Sequence, residues 1–86
     1  MDNIKELREK IEKYLIEECQ IPKDQVLNPE TKLEDLDLDS IDKAELALQL
    51  DEEFDIIIQN DQTLMEMETI GEVFDYFINQ YQSQNQ

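Results

Sequence analysis

The chain has 86 residues, 40% of them apolar, with 23 Asp or Glu against 7 Lys or Arg, one glycine, one cysteine and no histidine, for a formal net charge of −16. That is one small domain, able to hide about 60–65% of its unfolded surface. The counts exclude glycine-rich phosphate loops, histidine-dependent catalysis, ordinary zinc ligation and an internal disulfide, while the charge repels nucleic acid and anionic membranes and favours a monomer that meets basic protein surfaces.

Ile4, Leu7, Ile11, Tyr14, Leu15 and Cys19 recur at three- and four-residue steps, one face of an amphipathic first helix. Asn3 is expected to cap it, with Glu6 reaching back as a capping box, and Pro22 to stop it. Cys19 on the apolar face reads as a buried structural thiol. A lone cysteine also fits a reducing, cytoplasmic setting. Residues 20–38 hold no sustained period and are expected as a long first loop, held to the core by Ile21, Val26, Leu27, Leu33 and Leu36.

Asp39 opens a second helix, its carboxylate placed to accept the N–H of Ile41 or Asp42. The apolar set Ile41, Ala44, Leu46, Ala47, Leu48, Leu50 and Phe54 is wide enough to predict cover on more than one side. Lys43 is the helix's lone base among Asp42, Glu45, Asp51, Glu52 and Glu53. Ile56-Ile57-Ile58 is read as a connector plugging the core rather than as a strand. Residues 61–67 form a short helix with Leu64 and Met65 inward. Thr69 caps the last helix, Glu72 completes a Thr-x-x-Glu box, and Ile70, Val73, Phe74, Phe77, Ile78 and Tyr81 give its buried face. The expected fold class is all-α: a small four-helix bundle of three main helices and one short one, spanning residues 1–81, with a polar, disordered tail over 82–86.

Charge is uneven along the chain. Residues 1–23 carry six acids and five bases; residues 24–86 carry seventeen acids and two bases. Within the acidic part, Glu34-Asp35-Leu36-Asp37-Leu38-Asp39-Ser40-Ile41 puts a serine hydroxyl at the exposed start of a helix, where unpaired N–H groups and the positive dipole end tolerate a phosphate ester. No histidine is available to activate that serine, so any covalent modification needs another protein. The simplest reading of Asp39-Ser40 is a helix start and nothing more. A calcium loop is a second reading, since Asp35, Asp37 and Asp39 fall at its first, third and fifth positions. Ser40 and Leu46 then stand where such a loop needs its turn glycine and its bidentate glutamate, which argues against it.

The third reading is a resemblance. The stretch from Glu34 to Leu46, followed by Leu50-Asp51-Glu52-Glu53-Phe54-Asp55-Ile56, resembles the acyl carrier protein family, whose signature is an Asp-Ser-Leu triplet opening an acidic helix. The likeness extends over most of the chain, from Ile4 to Tyr81. It implies that Ser40 is the attachment point for 4′-phosphopantetheine, installed from coenzyme A by a phosphopantetheinyl transferase, and that Asp39 is the signature acid before it. It implies a free-standing carrier that catalyses nothing itself and holds acyl groups as thioesters for fatty-acid or polyketide-type biosynthesis. Asp37, Asp42, Glu45, Glu52 and Glu53 match or adjoin acidic positions that dock on basic patches of acyl-transferring and synthase enzymes. Ala44 and Ala47 are small enough to leave room for an acyl chain. Asp37 stands where the family usually has glycine, and Ile41 where it has leucine. A peptidyl or aminoacyl carrier shares the same serine arm, and an unmodified acidic interaction module is the alternative from a different class.

Overall fold

Residues 4–57 and 61–84 are described by the structure, a computed structural model. Helix α1 (Ile4–Lys13) runs into a single π-helical turn, Tyr14–Glu18, closed by the Cys19 N–H on the Tyr14 carbonyl at 3.2 Å. Leu7, Ile11, Tyr14 and Leu15 are buried, as their spacing requires. Gln20 then takes a left-handed backbone (φ 59°) and turns the chain into Pro22. The expected Asn3 cap lies outside the described residues.

The long first loop contains structure that its lack of period concealed. Pro22 precedes a one-turn helix α2 (Lys23–Val26), and Leu33–Leu36 form a 3-10 turn. Ile21, Val26 and Leu33 are buried and Leu36 partly so, but Leu27 is exposed and anchors nothing. Two backbone bonds pin the loop to the start of the last helix: Leu33 N–H to the Glu68 carbonyl at 2.8 Å, and Ile70 N–H to the Thr31 carbonyl at 3.0 Å. Gly71 donates its N–H to the Pro29 carbonyl at 2.9 Å, and a Cβ on Gly71 would lie 3.0 Å from both Pro29 Cβ and that same oxygen. The lone glycine is where loop and helix touch backbone to backbone.

Helices α3 (Ser40–Phe54), α4 (Asp61–Glu66) and α5 (Ile70–Gln84) complete an all-α bundle, with no strand among the described residues. Helix α5 buries Ile70, Val73, Phe74, Tyr76, Phe77 and Ile78, and Phe77 is fully enclosed. Helix α3 buries only Leu46, Ala47 and Leu50. The expectation of cover on several sides is corrected: Ile41 is 66% exposed, Leu48 57%, and Ala44 is also outward. Helices α1 and α4 pack against α3, and its side bearing Ile41, Ala44, Glu45, Leu48 and Glu52 meets solvent. In the connector only Ile56 plugs the core; Ile57 is exposed, and Ile58 lies outside the described residues.

Around α4, Leu64 is inward as expected, but Met67 rather than Met65 is its buried partner. The helix stops at Glu66, so the chain beyond it carries Met67 into the core. Thr69 Oγ1 accepts the Glu72 N–H at 3.2 Å, which is the expected cap. The Glu72 carboxylate, however, takes the N–H of Glu68 rather than that of Thr69. The tail expected to be disordered from residue 82 is helical through Gln84. Gln84 fixes that turn: its side-chain amide pairs with both the N–H and the carbonyl of Ile57, each at 2.7 Å. Beside it, Phe54 and Tyr81 pack edge to face.

Candidate functional site

The start of α3 is shaped by three consecutive residues. Asp37 ends the 3-10 turn in a left-handed conformation (φ 58°, ψ 28°). Glycine is the usual residue there, and Asp is among the few side chains that accept it at modest cost. Asp39 is extended and makes a reciprocal capping box: its Oδ1 accepts the Asp42 N–H at 3.0 Å, and Asp42 Oδ2 accepts the Asp39 N–H at 3.4 Å. The first half of that box follows from the sequence; the second uses Asp where Glu is more common. Ser40 is thereby the first residue of α3, with an exposed side chain and no hydrogen-bond partner for its hydroxyl among the described residues. The N–H groups of Ser40 and Ile41 precede the first intrahelical bonds, so an anion on Ser40 finds donors and the positive dipole end.

The candidate docking acids divide into two groups. Asp42 is half-buried and occupied by the cap, and Glu53 is paired with Lys10 of α1 at 2.9 Å. Glu45 and Glu52 are exposed on the outward side of α3, although Glu45 also accepts a hydrogen bond from Tyr14, and Asp37 is exposed in the turn before it. Ile41, Glu45, Leu48 and Glu52 follow one another at helical spacing, forming a single stripe opposite buried Leu46 and Leu50. Ile41 and Leu48, expected under cover as part of a wide apolar set, lie among the acids instead. Their shared spacing with Glu45 and Glu52 was the available signal.

Tyr14 ties this helix to α1. Its hydroxyl donates to Glu45 Oε2 at 3.2 Å and lies 3.4 Å from the Asp42 carbonyl. Burial, then the nearby Cys19 and the bond to Glu45, push the Tyr14 pKa upward. Cys19 is partly buried on the expected face. Burial, reinforced by the carboxylates of Asp42, Glu18, Glu45 and Asp39, raises its pKa from 9.0 to about 11, so the thiol stays protonated and unreactive.

Beside the helix start lies a cleft of about 310 Å³, floored by Leu33, Leu38 and Met67 and rimmed by Lys32, Glu34, Lys43 and Glu68. The room expected at Ala44 and Ala47 is elsewhere: Ala44 is exposed, and neither alanine lines the cleft. Among the described residues no three carboxylates or thiols converge on a metal-sized site, and no helix is long and apolar enough to cross a membrane.

Comparison with known proteins bears on this geometry. The sequence model of the family described as "Phosphopantetheine attachment site" matches residues 9–77. A protein called Acyl carrier protein from Buchnera aphidicola subsp. Acyrthosiphon pisum (strain 5A) is 33% identical over 76 residues, covering 88% of this chain and 94% of the relative. Proteins of the same name from strains Tuc7 and APS are 33% identical over 73 residues, covering 85% of this chain and 90% of each relative. The chain belongs to the acyl carrier protein family. No solved structure matches it. In this carrier the matched span contains the whole α3 start, the cleft and Ser40, and it excludes Ser83, the chain's other serine. An exposed hydroxyl on a capped helix N-terminus is chemically compatible with a phosphate ester.

Proposed function

We propose that Ser40 Oγ is the attachment point of 4′-phosphopantetheine: a phosphopantetheinyl transferase directs the hydroxyl at the pyrophosphate of coenzyme A, forming a phosphodiester on Ser40 and releasing adenosine 3′,5′-bisphosphate. The loaded chain then shuttles acyl groups among enzymes of fatty-acid or polyketide-type biosynthesis. When bound, the arm supplies a terminal thiol that holds those groups as thioesters. The observation supporting this reading is the position of Ser40: first residue of α3, exposed, and inside the matched span. Asp37 and Asp39 set the backbone that presents the hydroxyl. The chain has no histidine, so the transferase must remove the Ser40 proton. Cys19, held protonated by burial, does not compete as the acyl-bearing thiol and suits a cytoplasmic, reducing setting.

The stripe Ile41, Glu45, Leu48 and Glu52 is the surface we assign to partner enzymes. Its isoleucine and leucine offer an apolar spine, and its glutamates, with Asp37, meet a basic rim. Attraction of this kind speeds encounter and weakens as salt rises. Glu53, Asp42 and, through the Tyr14 hydroxyl, Glu45 are also engaged within the fold while contributing to the field. The attachment claim is tested by incubating the chain with coenzyme A and a broad-range transferase, then weighing the intact protein. The wild type should gain the arm and Ser40→Ala should not; a wild type that gains nothing from several transferases contradicts the proposal.

A further inference from the structure

Residues 24–86 hold seventeen acids and only two bases, and both bases, Lys32 and Lys43, line the cleft beside Ser40. In so acidic a segment the lone lysine of α3 would be expected to pair with a carboxylate. Instead, Lys43 Nζ donates to two backbone carbonyls, Met65 at 3.3 Å and Met67 at 3.1 Å. Both lie at the end of α4, where a helix leaves carbonyls unpaired. Lys43 therefore caps α4 from α3. It stands three residues after Ser40, on the neighbouring turn of the same side of the helix.

The second observation is what lies behind that tie. An apolar seam of about 10 Å³, room for about one water, shares Leu33, Leu38, Lys43 and Met67 with the cleft. From there it continues inward to Leu46, Val73 and Phe77. Cleft and seam thus meet at Lys43, whose ammonium ties α3 to Met67, a residue that lines both and follows directly on α4. On the far side, residues 68–70 are held to the loop through the Glu68 carbonyl and the Ile70 N–H. The Lys43 tie is made by a side chain, so it can be broken without disturbing that backbone bridge.

We propose that Lys43 is a latch that sorts cargo at the mouth of this seam. Short, polar groups carried from Ser40 remain in the cleft with the latch closed. Longer apolar chains enter the seam only when Lys43 releases the Met65 and Met67 carbonyls and α4 swings from α3. The cargo part rests on the assignment of Ser40 as the attachment point; the latch itself does not.

Two measurements separate them. On the unmodified chain, Lys43→Met keeps the aliphatic stem and removes the donors, and Lys43→Arg keeps charge and donors. Amide hydrogen exchange over residues 62–68 should quicken about tenfold in Lys43→Met, the scale of one or two lost hydrogen bonds, and far less in Lys43→Arg, with α5 unchanged. Exchange within twofold of wild type overturns the latch, and so does a rise shared equally by α5, which marks general loosening. The second measurement loads wild type and Lys43→Met with an arm ending in a solvatochromic naphthalene probe. Bluer emission from the variant is the expected result, and identical emission in the two proteins overturns the sorting role. Failure to load either protein contradicts the Ser40 assignment and leaves the exchange result to decide the latch.

Discussion

Helices α3 (Ser40–Phe54) and α5 (Ile70–Gln84) are each 15 residues long, yet α5 buries six side chains and α3 buries three. Their apolar content does not explain the difference: each has seven apolar or aromatic side chains, counting from Ile41 to Phe54 in one and from Ile70 to Tyr81 in the other. Placement does. In α5 they recur on one face, which is buried from Ile70 to Ile78. In α3 they are spread around the axis, so packing on one side leaves Ile41 and Leu48 in water beside Glu45 and Glu52. Such a helix leaves part of its apolar surface in water, as the proposed docking surface requires.

The comparison is broken most easily at its extremes. Phe77→Ala should cost about 3–5 kcal/mol in denaturant unfolding, enough to leave little folded protein at this size. A loss under 1 kcal/mol would mean that α5 is not the centre of the core. Tyr14→Phe should cost about 1 kcal/mol by removing the hydroxyl that joins α1 to Glu45. The same variant should leave Glu45 free to move, visible as faster side-chain dynamics by NMR.

Cys19 gives a pH test of the α1–α3 junction. Its folded pKa is raised above the ordinary 9.0, so the native state keeps a proton that the unfolded chain loses. Stability from this source is intact below pH 9 and declines as pH rises toward about 11, with no change between pH 6 and 8. Alkylation of the native thiol should follow the same midpoint, near 11 and not 9. Gln84→Ala should cost only a few tenths of a kcal/mol, because its bonds to Ile57 are exposed, but exchange of the Ile57 N–H should accelerate. At the small end, Leu48→Ala should change stability by no more than about 0.5 kcal/mol while weakening partner binding. A core-sized loss there would erase the distinction between the two helices.

Much of this architecture was legible in the sequence because local rules determine it. The α1 and α5 faces follow from three- and four-residue spacing, and the Asp39 and Thr69 caps from side-chain chemistry one turn away. The exposed hydroxyl of Ser40 followed from the Asp39 cap. What stayed hidden depends on partners distant in sequence. Loop 20–38 is ordered by backbone bonds to Glu68, Ile70 and Gly71, which no local pattern announces. Met67 exchanged places with Met65 because α4 ends at Glu66, and residues 82–84 stay helical because Gln84 finds Ile57, 27 positions away. Lys10 faces Glu53 at 2.9 Å from another helix, a pairing that local spacing does not reveal. Asp37, standing where the family usually has glycine, takes the left-handed backbone that the turn needs.

The most direct test is to map where the arm lands. After incubation with coenzyme A and a phosphopantetheinyl transferase, the chain is digested and the added group located by fragment mass spectrometry. The account predicts full occupancy of Ser40, at the start of α3, with Ser83 near the end of α5 untouched. Modification at Ser83, at a threonine or tyrosine, or nowhere in a correctly folded chain would contradict it.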